Sequence, residues 1–201
     1  FKSLVVLSAE VSWKDPQPRI VRADLNFETL RRAKCPIGIA LRVGPFSGPF
    51  SSRDKNAVAL SELAASLVAQ CSSNDVRVSE LQIDFDCASS KLDGYRSWID
   101  AIRETTQGIP LVITALPSWL DESGFRRLIA AVDGYILQVH SLERPKSPDA
   151  EFSLCDPRSA HRAVQRAARL GKPFRVALPT YGYVIAFDRQ KHFIGLSADG
   201  P

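Results

Sequence analysis

Short apolar runs rich in β-branched residues recur along this chain and alternate with segments of helical periodicity. This alternation is typical of repeated βα units that surround a parallel sheet. Six runs are predicted to be strands, at residues 4–11, 37–43, 81–85, 111–116, 135–139 and 174–178. Four segments between them are predicted to be helices, at residues 53–70, 92–103, 125–132 and 157–170. The last helix has Asp156 as its expected N-cap residue and Gly171 at its expected end.

The spacing of these units predicts a TIM (β/α)8 barrel that is incomplete in this chain, with residues 1–201 forming a single domain. Such a barrel uses about 250 residues for eight units, and six units are recognised in this sequence. The chain begins with Phe1 inside a predicted strand and contains no methionine, so we expect one further unit on either side. The alternative is an open doubly wound sheet, which uses the same units in a different order.

The charge balance and the cysteines exclude several classes of function. The chain carries 26 Lys and Arg against 22 Asp and Glu, a net charge of +4, without a run of five or six basic residues. We therefore expect no nucleic-acid partner. No apolar stretch approaches the roughly 18 residues of a membrane span. The four cysteines are widely separated and form no CxxC pair, which predicts free thiols, no bound metal and no cofactor.

The third predicted strand contains the strongest indication of a functional site. Side chains alternate between the two faces of a strand. The outward set is apolar and consists of Leu81, Ile83, Phe85 and Cys87. The inward set is polar and consists of Glu80, Gln82, Asp84 and Asp86. Asp84 and Asp86 are two residues apart, so their Cα atoms lie about 6–7 Å apart with both carboxyls on one side. Like charges that close raise one pKa, which suits acid/base chemistry. The alternatives are a helix cap or an ion pair with Arg42.

Polar residues also end the other predicted strands, and in a barrel these ends face one common space. They are Glu10, Arg42, Thr114, Gln138, His140 and Tyr181. Trp13 and Trp119 follow strands at the same edge, and aromatic rings beside carboxylates and amides are typical of sugar sites. We therefore predict that both tryptophans bind a carbohydrate, with core packing as the alternative, whereas Trp98 lies in a predicted helix and is assigned to the core.

Three segments depart from the regular βα pattern. Residues 44–52 read GPFSGPFSS, and residues 141–155 are also irregular, so both are predicted to be loops at strand carboxyl ends. Residues 184–188 and 192–196 are short β-prone runs around a polar turn. They predict a β-hairpin insertion within 183–201 that forms one wall of the site, with a frayed end as the alternative.

Several strand-end segments of the sequence resemble a known family. They are SAEVSW (8–13), LQIDFDC (81–87), TALPSWL (114–120), DGYILQVHSL (133–142) and FRVALPTYG (174–182). Together they resemble a family of uncharacterised bacterial proteins, domain of unknown function 3142. More distantly, IDFD and ALPTYG are similar to the chitinase-like family 18 glycoside hydrolases, which are TIM barrels. That resemblance implies that strands two to seven of the barrel are present. It matches Asp84 and Asp86 to the family's Asp-x-Asp-x-Glu motif and Tyr181 to a tyrosine that assists the substrate N-acetyl group.

The sequence departs from family 18 at one important position, because Ala88 stands where the family has its catalytic glutamate. This departure leaves three hypotheses open. The first is a glycoside hydrolase with Asp86 or Glu10 as general acid, Asp84 as electrostatic partner, and Arg42, Gln138, His140 and Tyr181 as sugar-binding residues. The second is a saccharide-binding barrel without activity. The third is a metal-dependent hydrolase with Asp84, Asp86 and His140 as ligands, against which the absence of an HxH or HExxH pattern counts. The resemblance implies a carbohydrate ligand, and the location is left open, with the bacterial envelope and secretion as the two candidates.

Overall fold

The computed structural model describes residues 2–14, 17–51, 53–140, 147–149 and 153–199. Nine strands lie in this part of the chain: β1 (Leu4–Trp13), β2 (Pro18–Arg22), β3 (Ile37–Val43), β4 (Val78–Phe85), β5 (Leu111–Ala115), β6 (Gly134–Gln138), β7 (Phe174–Ala177), β8 (Gly182–Phe187) and β9 (Phe193–Asp199). The α-helices there are α1 (Phe27–Arg32), α2 (Lys55–Ser73), α3 (Leu92–Thr105), α4 (Ser123–Ala130) and α5 (Pro157–Ala168). Short 3-10 turns occupy Ser89–Lys91 and Pro117–Trp119.

The strand order identifies the fold class. Seven strands form one sheet in the order β2-β1-β3-β4-β5-β6-β7, and every neighbouring pair is parallel except β1 with β2. The parallel strands follow one another in chain order without a reversal, whereas a doubly wound sheet reverses its order at a switch point. The prediction of an incomplete TIM barrel is therefore confirmed, and the open doubly wound sheet is excluded.

The hydrophobic core lies between the outer face of the sheet and the helices. The outward side chains of β3, β4 and β5 are almost completely buried, and they are Ile39, Leu41, Leu81, Ile83, Leu111 and Ile113. The apolar faces of α2, α3 and α4 pack on them with Leu60, Leu67, Ile99, Ile102 and Leu128. Each such side chain contributes about 1.5–3 kcal/mol of burial free energy, so this layer holds the strand ends in place.

Side-chain caps define where the helices begin. Asp54 accepts hydrogen bonds from the backbone N–H groups of Asn56 and Ala57 at 2.8 Å, and this starts α2. Asp156 accepts from the N–H of Ser159 at 2.8 Å, so the predicted cap of α5 is confirmed. Such caps satisfy backbone donors that a first helical turn leaves unpaired.

Two elements were not predicted from the sequence. Strand β2 pairs antiparallel with β1 at the edge of the sheet, and α1 lies between β2 and β3. The strand begins at Pro18, a residue that is tolerated at a sheet edge because its missing N–H faces no partner strand. The prolines around β2 concealed its strand character in the sequence.

Strands β8 and β9 form a separate antiparallel hairpin, paired from Gly182–Asp199 to Phe187–Phe193. At its turn, Asp188 Oδ1 accepts a hydrogen bond from the backbone N–H of His192 at 2.7 Å. Lys191 Nζ forms an ion pair with Asp149 Oδ2 at 2.6 Å, and this pair joins the turn to the connection that follows β6. Most of the loop predicted at 141–155 lies outside the described residues. Within the described ranges, no helix is both long and apolar enough to cross a membrane.

Candidate active site at the carboxyl ends of the strands

Four polar side chains form a hydrogen-bonded row across four neighbouring strands. Glu10, Arg42 and Asp84 are aligned in register on β1, β3 and β4. Arg42 donates from Nη1 to Glu10 Oε1 at 3.2 Å and from Nε to Asp84 Oδ2 at 3.1 Å. Thr114 of β5 donates from Oγ1 to Asp84 Oδ1 at 2.9 Å. These four residues, each at the end of a predicted strand, therefore share one level of the sheet.

Asp84 is held firmly within this row. Each of its carboxyl oxygens accepts one hydrogen bond, and its side chain is only 23% exposed. The ion pair with Arg42 that the sequence left as an alternative is therefore present in the structure. A carboxyl whose two oxygens both accept hydrogen bonds, one of them from a guanidinium, is held in a fixed orientation.

Asp86 lies two residues beyond this row and has a different environment. Its Oδ1 accepts a hydrogen bond from Gln138 Nε2 at 3.3 Å, which reaches over from β6. Although its carboxyl reaches solvent, partial burial among the strand ends raises its pKa, and the negative charge of Asp84 raises it further. The hydrogen bond from Gln138 and the nearby His140 and Arg42 act in the opposite direction, but the raising causes prevail. Asp86 therefore keeps its proton to a higher pH than an ordinary aspartic acid.

An aromatic group extends the site from β6 towards the hairpin. The Tyr181 hydroxyl and His140 Nδ1 are hydrogen-bonded at 2.9 Å, and their rings meet edge to face with centroids 5.6 Å apart. Tyr183 on β8 contacts Tyr181 in the same manner at 5.5 Å. Burial and the neighbouring Tyr183 raise the pKa of Tyr181. Tyr183 was not among the predicted site residues, although its position two residues after Tyr181 was a signal that both could face one side.

The inward residues below the row are also accommodated by specific partners. Arg175 of β7 forms an ion pair with Glu80 of β4 across the inner face. Gly38 of β3 leaves the space that the Glu80 side chain occupies, because a Cβ atom there would lie 2.7 Å from Glu80 Cγ. Arg175 was not among the predicted site residues, since a partner 95 residues away leaves no local signal.

The structure contradicts the predicted sugar-binding role of Trp119. Its side chain is 0% exposed, and Nε1 donates to the carbonyl oxygen of Cys87 at 3.2 Å. It lies in the 3-10 turn after β5 and packs against Tyr95 and Phe125 in the helical layer. A short turn after the strand directs this ring back into the core instead of towards the strand ends.

Trp13 lies on the outward side of β1, away from the polar row, and its predicted role as a sugar-binding ring stays a prediction. It continues the outward register of Ala9 and Val11 on β1. Its ring packs against Phe46 at 4.7 Å and Trp98 at 5.9 Å, and its Nε1 donates to Asn56 Oδ1 at 3.1 Å. Trp98 itself is buried in the core, as predicted.

The geometry offers no support for the metal-dependent alternative. Among the residues that the structure describes, no group of three or more His, Cys, Asp and Glu side chains is arranged to hold a metal ion. His140 Nδ1 is bonded to Tyr181, and both oxygens of Asp84 are bonded to Arg42 and Thr114. These bonds engage one ring nitrogen of His140 and both oxygens of Asp84.

A cavity of about 1000 Å³ lies at the opposite edge of the sheet. Its lining includes Ile37, Val78 and Pro110, which stand at the amino ends of β3, β4 and β5. None of the predicted site residues lines it. In a (β/α) barrel this edge serves stability, and active sites lie at the opposite, carboxyl ends of the strands.

Comparisons with known proteins agree with this architecture. The family described as "Domain of unknown function (DUF3142)" matches residues 41–198. A search of curated protein sequences found no match. Among solved structures, the spore cortex-lytic enzyme SleL of Bacillus cereus is similar with a TM-score of 0.62 and 14% identity, over 98% of this chain and 48% of that one.

Two further solved structures share the fold. The GH18 chitinase ChiB of Flavobacterium johnsoniae gives a TM-score of 0.59 and 14% identity, over 98% of this chain and 64% of that chain. A xylanase-alpha-amylase inhibitor protein, XAIP-I, in complex with trehalose gives a TM-score of 0.50 and 12% identity, over 84% of this chain and 66% of that chain. The chain thus spans about half of SleL and less than two thirds of ChiB. At these identities the likeness establishes the glycosidase-like barrel fold.

Proposed function

We propose that this chain, which belongs to the DUF3142 family, carries the active face of a glycoside hydrolase that acts on an oligosaccharide or polysaccharide. One observation carries the proposal: two neighbouring carboxyls have opposite environments. Asp84 has one oxygen bonded to Arg42 and the other to Thr114, whereas Asp86 has a raised pKa and one amide donor. A pair of carboxyls in such different environments is the arrangement that acid/base cleavage of a glycosidic bond requires.

In this proposal Asp86 is the general acid. A proton donor must still hold its proton near neutral pH, and the raised pKa of Asp86 favours that. Ala88 carries no group that could donate a proton, so the acid of the family 18 motif has no counterpart at that position. Gln138 orients the Asp86 carboxyl, and the charge of Asp84 helps to keep it protonated.

The aromatic group at β6 and the hairpin completes the proposed sugar site. His140 and Tyr181 hold each other by a hydrogen bond and supply polar atoms for sugar hydroxyls. Tyr183 continues this surface onto β8, and the Lys191–Asp149 ion pair fastens the hairpin turn. We propose that the hairpin forms one wall of the cleft. The fold is also that of a chitinase and a cortex-lytic enzyme, and this supports a carbohydrate ligand.

The test is hydrolysis of a panel of chito-, gluco- and exopolysaccharide oligomers by the wild type and by Asp86→Asn. The substitution keeps the acceptor for Gln138 but removes the proton. We expect turnover to fall by a factor of about 100 or more, because general acid catalysis contributes that much. Binding of the oligomer, measured by calorimetry, should persist. Asp100→Asn on the outer surface of α3 is the matched control and should retain full turnover.

A second candidate is a saccharide-binding barrel without hydrolytic activity, and the absence of an acid at Ala88 favours it. The same panel distinguishes the two candidates. A wild-type protein that binds an oligomer in the calorimeter and leaves it intact over a long incubation would support binding alone. Turnover that is equal in the wild type and in Asp86→Asn would contradict the assigned role of Asp86.

A further inference from the structure

We infer that Glu10 is the general base of this site, that the reaction inverts the anomeric carbon, and that the substrate needs no 2-acetamido group. This inference rests on the proposed function, because it names the second carboxyl of the same reaction. The observation behind it is the division of the three strand-end carboxyls between different partners.

Glu10 is the carboxylate of the site that is available to a water molecule. Asp84 has both oxygens bonded, and Asp86 is assigned as the acid. Glu10 forms an ion pair with Arg42 through Oε1 alone, and within the described residues its Oε2 has no hydrogen-bond partner. Its side chain is 47% exposed. An ion-paired carboxylate with one open oxygen can accept a proton from water.

The register of the strands determines the separation of Glu10 and Asp86. Strand β3 lies between β1 and β4, so two strand spacings of about 4.8 Å separate them laterally. Asp86 lies two residues beyond the level of Glu10, about 7 Å along the strand. The Cα atoms are therefore about 12 Å apart by these spacings, and both side chains extend into the same interior.

This separation favours inversion over retention. Carboxyls about 6.5–9.5 Å apart leave room for a water molecule, whereas a nucleophilic carboxylate requires about 5–5.5 Å. Side chains that converge from Cα atoms about 12 Å apart reach the wider range more readily than the narrower one. Arg42 lies between the two strands and bonds to Glu10 at the level of the row, two residues below Asp86.

The proposed step conserves atoms, electrons and protons. Asp86 transfers its proton to the glycosidic oxygen while the bond from that oxygen to the anomeric carbon breaks, and the electron pair stays on the leaving oxygen. A water oxygen forms a bond to the anomeric carbon from the opposite face, and its proton passes to Glu10. Proton exchange with solvent then restores Asp86 and Glu10, and one water molecule has been consumed.

This step also determines the nature of the substrate. When a protein carboxylate activates the water, no acyl group of the sugar takes part in bond formation. A glycoside with an ordinary 2-hydroxyl should therefore be cleaved at least as fast as its 2-acetamido analogue.

The experiment uses matched pairs of oligosaccharides that differ only in the 2-hydroxyl or 2-acetamido substituent. Proton NMR on fresh product reports the anomer formed first, and wild type is compared with Glu10→Gln. We expect the inverted anomer from the 2-hydroxyl substrate and a loss of about 100-fold or more in Glu10→Gln. Azide needs no base, so it should restore turnover of this variant and yield a glycosyl azide of inverted configuration.

The outcomes separate the inference from the proposed function. Glu10→Gln preserves an acceptor for Arg42. If Glu10 had only a structural role, the variant would therefore keep its turnover without added azide. Glu28→Gln on α1 is the control and should behave as wild type. Cleavage restricted to 2-acetamido sugars, with retention and full activity in Glu10→Gln, would overturn the inference and leave Asp86 as the acid. If no substrate is cleaved, both the inference and the proposed hydrolase function are contradicted.

Discussion

Replacement of Gly94 by alanine should destabilise this protein, against the usual effect of alanine in a helix. Gly94 is the third residue of α3, and a Cβ atom there would lie 2.6 Å from Cβ and Cγ of Phe50 and 2.8 Å from its Cδ2. These are atoms at the base of the Phe50 side chain, so a small rotation does not relieve the clash. The ring is also held by Trp98 at 4.6 Å and by Phe46 at 5.3 Å.

Two opposing terms determine the magnitude. Alanine favours a helix interior over glycine by about 1 kcal/mol. Overpacking of a well-packed site costs about 1–3 kcal/mol. Subtracting the helix preference of alanine from an overpacking cost of about 2 kcal/mol leaves a net loss of about 1 kcal/mol in the free energy of unfolding. In a domain of this size that corresponds to a fall in Tm of about 2–4 °C.

The assay is a double-mutant cycle by urea denaturation. In Phe50→Ala the obstructing ring is absent, so adding Gly94→Ala should stabilise that variant by about 1 kcal/mol. The sign of the alanine effect thus reverses between the two backgrounds, and the coupling is about 1–3 kcal/mol. If Gly94→Ala stabilises the wild type as much as it stabilises Phe50→Ala, the reasoning about the close contact between Gly94 and Phe50 is refuted.

Two further predictions concern pH and metals. Because the folded-state pKa of Asp86 is raised, the folded protein binds more protons than the unfolded chain between the two pKa values, so stability falls as pH rises through that window. Asp86→Asn should therefore have a higher melting temperature than the wild type at neutral pH. The two melting temperatures should be equal at a pH below the normal aspartate range. A lower melting temperature of Asp86→Asn at neutral pH would contradict the raised pKa of Asp86. Thermal melts with and without a chelator should coincide, because the described residues contain no metal-binding group. A drop of several degrees that zinc or manganese restores would instead favour the metal-dependent hydrolase.

Local periodicity explains why much of the fold was predictable. The alternation of apolar and polar residues in β4 is imposed by the strand itself, so the division between Ile83 and Asp84 is readable from the sequence. The caps at Asp54 and Asp156 are equally local. Residues 44–51 form neither helix nor strand, in agreement with their Gly and Pro content.

Prediction failed at Trp119, where side-chain direction depends on the segment after a strand. Trp119 stands just beyond β5 and was expected at the strand ends, but a 3-10 turn places it under α4. Trp13 ends β1 on the outward side, where Phe46 and Trp98 complete its surroundings. All the partners of Trp13 come from other segments, so its own neighbours in the sequence carried no sign of them.

The sequence by itself determined the succession of βα units and the polar character of the strand ends, because these depend on residues close together in the chain. Only the tertiary structure decided which polar groups meet. The row through Glu10, Arg42, Asp84 and Thr114 joins residues 30 to 42 positions apart, and it exists because parallel strands align in register. The different environments of Asp84 and Asp86 arise in the same way: Arg42 and Thr114 reach one carboxyl, and Gln138 reaches the other.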